Sequence, residues 1–354
     1  MTTTPTTRLT RVVAAFVACV MLAVGAAACD PRAEALDGLW INQRELDRLP
    51  TSGAAWDRLV KEANSNWGTA ALHDNNATHD TSTLAGALVA ARTRDPQLTK
   101  KTRDAIMSVT KVTRYERVLE MSRNITSYVI AADIVGLPAA DDAKFRTFIS
   151  GLRTKPLQGH SGGKDLTSTA LRSTNNWGTM ARAAVVAIDL YLGDTKHLDA
   201  VVDAHRAWLG ENVDNELRYT GTKWHADKAN PSGVNRSGAK VNGRNADGVI
   251  PEDQRRTGEP TSKPAEKGSY PWEALQGAVV TAVLLDRAGE VNFHAGGFAL
   301  VRAYNWLHDV NDNPASGDDT WQPWLVNRVA GTKYPTKAAS SPGKLMGWTD
   351  WTHA

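Results

Sequence analysis

Residues 177–210 read W-G-T-M-A-R-A-A-V-V-A-I-D-L-Y-L-G-D-T-K-H-L-D-A-V-V-D-A-H-R-A-W-L-G, and this stretch decides the fold class. Its first half is apolar as far as Leu192 and stops at Gly193. Leu198, Val201, Val202, His205, Trp208 and Leu209 then recur at helical spacing, and Gly210 stops that run. This is a hairpin of two helices. The same signals recur along the chain and predict helices over residues 54–63, 82–94, 101–111, 115–135, 141–152, 272–287 and 298–308. Within 115–135, Ile125, Val129 and Ala132 line one face and Gly136 marks the end. Gly289 stands where the helix over 272–287 should be capped. Alternating strand patterns are almost absent. The expectation is an all-α, incomplete (α/α) toroid of antiparallel helix hairpins, carrying its function on long loops. Residues 29–354 contain no low-complexity linker, which predicts one domain.

The longest interruption runs from residue 211 to 270, where no period persists. Loops of that length are functional or disordered, and Tyr219 and Trp224 favour an ordered one with short strands. Its second half, N-G-R-N-A-D-G-V-I-P-E-D-Q-R-R-T-G-E-P-T-S-K-P-A-E-K-G-S-Y over residues 242–270, is punctuated by Gly and Pro and dense in charge. It delivers Arg256 and Tyr270 to the start of the apolar helix that Trp272 opens.

The first 28 residues read as an export signal: Arg8 and Arg11, an apolar run, and Ala26-Ala27-Ala28 before Cys29. A Cys directly after small residues resembles a bacterial lipoprotein box, so Cys29 is the candidate lipidation site, although Ala26 stands where Leu is usual. A secreted or cell-surface protein is expected, held at the outer face of the membrane if Cys29 is lipidated. The only other cysteine, Cys19, lies inside the signal, so disulfides are not expected in the mature domain. Removing Arg8 and Arg11 lowers the formal charge from +3 to +1. That near-neutrality argues against nucleic acid as a partner.

Twelve Trp is high for this length, and seven of them (Trp67, Trp177, Trp224, Trp321, Trp324, Trp348 and Trp351) stand in or beside polar loops. Flat rings among Asp, Asn and Arg suit sugar stacking; rings that bury loops against helix ends suit the same pattern. The nine His form no His-x-x-x-His pair, which argues against a metal site. His79 and His225 lie in predicted loops, whereas His205 sits on an apolar face and reads as core. Asn66-Trp67-Gly68-Thr69 and Asn176-Trp177-Gly178-Thr179 echo each other as two Asn-led helix starts. Arg123 could be a surface residue or could grip a carboxylate. Arg256 could merely pair with Asp253.

Taken together these residues resemble the mannuronate-type alginate lyases and their wider α/α-toroid relatives. Asn175-Asn176 stands where that family has Asn-Asn-His. Residues 247–256, D-G-V-I-P-E-D-Q-R-R, match its Asp-Gly-x-x-Pro-x-Glu-x-x-Arg with Asp253 in place of Glu, and Tyr270, Ala274 and Leu275 match its Tyr and Ala-Leu. Similarity to secreted actinobacterial alginate-lyase-like proteins covers nearly the whole mature length. The resemblance implies β-elimination on a uronate glycan without a cofactor. Tyr270 would be base and acid, and Asn176 and Arg256 would neutralise the uronate carboxylate. Trp177 replaces the family's active-site His, and His225 is the candidate to substitute for it. Asn175, Trp177, Arg123, Trp224, Asp247, Trp272 and Trp321 are the candidate substrate contacts. The expected partner is an acidic polysaccharide, bound by a monomer. Two rivals stand beside this reading. One is a glycoside hydrolase using two carboxylates from Asp247, Glu252, Asp253, Asp318 and Asp319. The other is a glycan-binding lipoprotein without catalysis.

Overall fold

The computed structural model describes residues 38–157, 164–262 and 264–354; the export segment and Cys29 lie outside these described residues. Among the described residues the structure is all-α apart from one antiparallel ladder of two-residue strands and two isolated β-bridges, Ser173–Arg218 and Lys344–Met346. In chain order the helices are α1 (Gln43–Arg48), α2 (Ala54–Ala63), α3 (His79–Thr93), α4 (Pro96–Val109), α5 (Val118–Val135) and α6 (Ala139–Arg153). There follow α7 (Leu166–Arg172), α8 (Asn176–Leu192) and α9 (Thr195–Trp208). The ladder β1 (Lys240–Val241) and β2 (Arg244–Asn245) precedes α10 (Pro251–Thr257), α11 (Tyr270–Arg287) and α12 (Ala295–Asn305). A π turn (Trp306–Val310), a 3₁₀ turn (Gly317–Asp319), α13 (Gln322–Ala330) and α14 (Thr349–Thr352) complete the fold.

The helices fall into two layers because their sequences do. In α3, α5, α8 and α11 apolar and small residues occupy every side, and long unbroken runs are buried: 79–90, 118–132, 178–190 and 274–285. A helix that is apolar all round must be enclosed. These four pack one against the next in chain order and form the inner layer. The flanking helices bury a single stripe, as α9 does with Leu198, Val201, Val202 and Trp208. α8 and α11 approach closely at Gly277, where a Cβ would lie 2.3 Å from the backbone of Thr179 and Met180. Gly289 ends α11 at φ +73°, with its N–H donating to the Asp286 carbonyl and that of Glu290 to the Leu285 carbonyl. This is the 6→1 and 5→2 pairing of a helix that closes on a left-handed glycine.

The C-terminal segment closes the ring onto α2. Arg58 and Asp350 form an ion pair at 2.6 Å, Trp56 and Trp351 pack with ring centroids 5.2 Å apart, and the Trp348 indole N–H donates to the Thr81 carbonyl. The predicted helices recur with small shifts. α3 starts three residues early, at His79, and α4 starts at Pro96 behind the Asp95 cap, whose Oδ1 accepts the Gln97 and Leu98 N–H groups. The echo between Asn66 and Asn176 is not structural. Asn176 begins α8, but residues 66–69 are irregular, with the Trp67 indole N–H on the Glu62 carbonyl and Lys101 over its ring.

Candidate functional site

Three segments meet where α8 and α11 begin. α10 is the shortest of them, opened by Pro251, whose fixed φ suits a first helical position. Glu252 and Asp253 fill its first turn and Arg255 and Arg256 its last, each sign at the end that the helix dipole favours. Arg256 Nη1 donates to Asn176 Oδ1 at 2.9 Å, and its guanidinium carbon lies 3.6 Å from the centroid of the Tyr270 ring. Tyr270 is half-buried at the first position of α11, and its hydroxyl has no hydrogen-bond partner among the described residues.

Asn176 is the hub. Its backbone N–H, the first of α8, donates to Asp253 Oδ1 at 3.1 Å. A carboxyl from α10 therefore caps α8, whereas Asn175, at the cap position, makes no side-chain cap and keeps a buried Oδ1 without a partner among the described residues. Asn176 Nδ2 donates to Glu273 Oε2 at 2.8 Å, and Arg123 Nη2 pairs with the same oxygen at 3.3 Å. Arg123 is buried, with Nε 3.3 Å from Met180 Sδ and Nη1 donating to Asn75.

The electrostatics follow from burial. Asp253 is fully enclosed; burial, joined by repulsion from Glu252 and Glu273, outweighs the Asn176 N–H and Arg256 and lifts its pKa to about 8. It is therefore mostly protonated at neutral pH and leaves Arg256, 3.6 Å away, largely uncompensated. Glu273 balances Arg123. Among the described residues, Arg256 is left as a positive charge beside the open phenol. Behind the cluster, burial foremost and then Glu273 lift Asp319 to about 7, while Gln276 and Gln322 each donate to its Oδ1, at 2.7 and 2.9 Å.

Tyr270, Asn176, Arg256 and Arg123 thus come together as candidates. Trp177 follows Asn176 in the chain and is half-buried. Others among the sequence candidates lie elsewhere. His225 is buried against Tyr219 and approaches Glu252 Oε1 at 3.4 Å through Nε2, so it does not replace the missing His beside Tyr270. Glu252 in turn accepts from His225, the Gly221 N–H, Thr220 and Arg255, which overcome its burial and hold it at about 2. Asp247 pairs with Arg302 at 2.9 Å and accepts the Gly238 N–H, a loop-pinning role. The rings of Trp224, Trp272 and Trp321 are 1 %, 2 % and 3 % exposed, and the first two donate their indole N–H to the Gly258 and Asn313 carbonyls. They bury loops and offer no stacking face. Trp67, Trp348 and Trp351 are buried as well, which leaves Trp177 and Trp324 half-open among the loop tryptophans. His79 begins α3 rather than lying in a loop; burial lowers it to about 4, and its Nδ1 meets the Tyr128 hydroxyl at 2.5 Å.

Glu273, Gln276 and Asn75 belong to the site although no motif marks them. Tyr270, Glu273 and Gln276 are three residues apart, which places them on one helical face and was the available signal. Tyr270, Arg256 and Asn176 thus converge where inner helices of an all-α fold begin. The alginate lyase family model matches residues 94–316, well over half of the chain, and the protein belongs to that family. The match includes Arg123, Asn176, Arg256, Tyr270 and Glu273; Asn75 and Asp319 lie outside it. No curated protein matches the chain.

Proposed function

We propose that the protein cleaves a uronate-containing glycan by β-elimination, with Tyr270 as base and then acid. The hydrogen α to a uronate carboxylate is too weakly acidic to remove unless the charge developing on that carboxylate is held. Arg256 is the cation free to hold it, and the second amide hydrogen of Asn176 supports it. Tyr270, acting as the phenolate, takes the hydrogen as a proton and becomes the phenol. The electron pair it leaves forms the ring C=C bond as the C–O bond to the next sugar breaks, and the proton passes to the departing oxygen. The observation that carries this reading is the guanidinium of Arg256 stacked on the Tyr270 ring while hydrogen-bonded to Asn176.

The carboxylates argue against the hydrolase alternative. Asp247 is paired with Arg302, Glu252 is wholly engaged, and Asp318 pairs with Lys344 at 3.2 Å and accepts from Ser341. Asp253 and Asp319 are buried. A glycoside hydrolase needs two carboxyl groups facing the scissile bond. Continuous ultraviolet absorbance with alginate, polyglucuronate and glycosaminoglycans tests the proposal. Rising absorbance from a conjugated C=C bond on any of them supports elimination. Reducing ends released without that absorbance would overturn it.

A further inference from the structure

A cleft of about 610 Å³ opens between α7, the turn into α8, and the extended segment that carries Arg218 and Thr220. Its size falls in the range of about 300–1,000 Å³ usual for small-molecule sites. Neither Tyr270, Arg256 nor Glu273 lines it. The two regions nevertheless share a wall. Asn175 and Glu252 face the cleft, and the next residue after each, Asn176 and Asp253, belongs to the reaction centre and is joined to the other by a hydrogen bond.

The cleft holds polar groups that the fold leaves unused. Thr169 is 2 % exposed, and among the described residues its Oγ1 has no hydrogen-bond partner; the buried Oδ1 of Asn175 has none among them either. Buried oxygens are normally paired, and each unpaired one calls for an explanation. Its acids, by contrast, are engaged. Glu252 accepts from the Thr220 and Gly221 N–H groups at 2.9 and 2.8 Å and from Arg255 at 3.0 Å. Asp165 caps α7 by accepting the Ser168 N–H at 2.6 Å. Its cations are less committed. Arg172 shares its charge with Glu216 at 2.8 Å, but Lys164 and Arg218 make no side-chain ion pair among the described residues. What is left over is positive charge beside hydroxyl and amide oxygens, which are the complement of a carboxylate and of sugar hydroxyls.

We propose that this cleft is a second saccharide site, across the Asn175–Asn176 wall from Tyr270, that binds an anionic sugar unit of the glycan. The proposal rests on the lyase reading for the choice of ligand. It is tested by calorimetric titration of short glucuronate and mannuronate oligomers into the Tyr270→Phe protein, which keeps the ligand intact. Lys164→Ala with Arg218→Ala should weaken binding about tenfold and Thr169→Val about threefold, while neutral oligosaccharides of equal length bind poorly. Thermal melts of the variants confirm their folding, which the exposed Lys164 and Arg218 should not disturb. Unchanged affinity in the variants, equal binding of neutral oligomers, no binding by the parent, or equal competition by inorganic phosphate would each overturn it. The two readings fail separately. Unsaturated product from the wild type, with binding indifferent to Arg218, removes the second site alone. Arg218-dependent binding without unsaturated product removes the lyase alone.

Discussion

Replacing Asp253 by asparagine should stabilise the protein in alkali and leave it nearly unchanged in mild acid. The carboxyl is fully buried, and its pKa rises from 3.8 to about 8, chiefly through burial. Below 3.8 the folded and unfolded chains both carry the proton. Between 3.8 and 8 the unfolded chain releases it and the folded chain keeps it, so stability falls as pH rises through this window and levels off above it. About four units at about 1.4 kcal/mol each sets a ceiling on the order of 5 kcal/mol. Local relaxation reduces this, and a difference of about 2–4 kcal/mol between pH 5 and pH 9 is expected. In the variant, the amide oxygen can still accept the Asn176 N–H, and Nδ2 takes the place of Oδ2, which has no partner. At pH 4, close to the unfolded value of 3.8, wild type and variant should therefore agree within about 1 kcal/mol. Asp80, lifted by burial to about 8, and Asp319, lifted to about 7, tilt the curve in the same direction. The informative quantity is accordingly the difference between wild type and variant, measured by urea unfolding at several pH values. Parallel curves would refute the reasoning. They would mean that Asp253 is ionised and neutralises Arg256, leaving no free cation beside Tyr270.

Two other substitutions probe how the site is held. Gly277→Ala places a methyl 2.3 Å from the α8 backbone and should cost about 1–3 kcal/mol, seen as a lower melting temperature; an unchanged melt would contradict the close approach of α8 and α11. Arg256→Lys keeps the charge but loses the flat group that stacks on Tyr270 while holding Asn176. Turnover should fall by about a hundredfold with a smaller change in KM, and near-normal turnover would show that a point charge is enough.

The ring of helices was legible because long periodic segments ending at glycine carry an unambiguous signal, as residues 177–210 do. α7, α10 and α13 were not, since seven to nine residues hold too few turns for a period to emerge. Within the site, spacing could not bring Asn176, Arg256 and Tyr270 together; the family resemblance supplied that, and the geometry agrees. The tryptophans misled for a physical reason. A ring that seals a polar loop against a helix and one that stacks on sugar leave the same composition, and only burial separates them, as for Trp224, Trp272 and Trp321. His225 likewise looked available because its engagement with Glu252 and Tyr219 crosses a loop that has no period. Glu273 was hidden in plain sequence, one turn beyond Tyr270, because nothing local announces that Asn176 and Arg123 converge on it.

The most direct test is the rate of unsaturated-product formation by Tyr270→Phe on whichever uronate polymer the wild type cleaves, with product masses measured alongside. Loss of turnover with intact folding and oligosaccharide binding is expected. Wild-type product ends should be lighter by one water than those of hydrolysis. Tyr270→Phe turning over at the wild-type rate, or product of hydrolytic mass, would contradict the assignment of Tyr270 as the group that moves the proton.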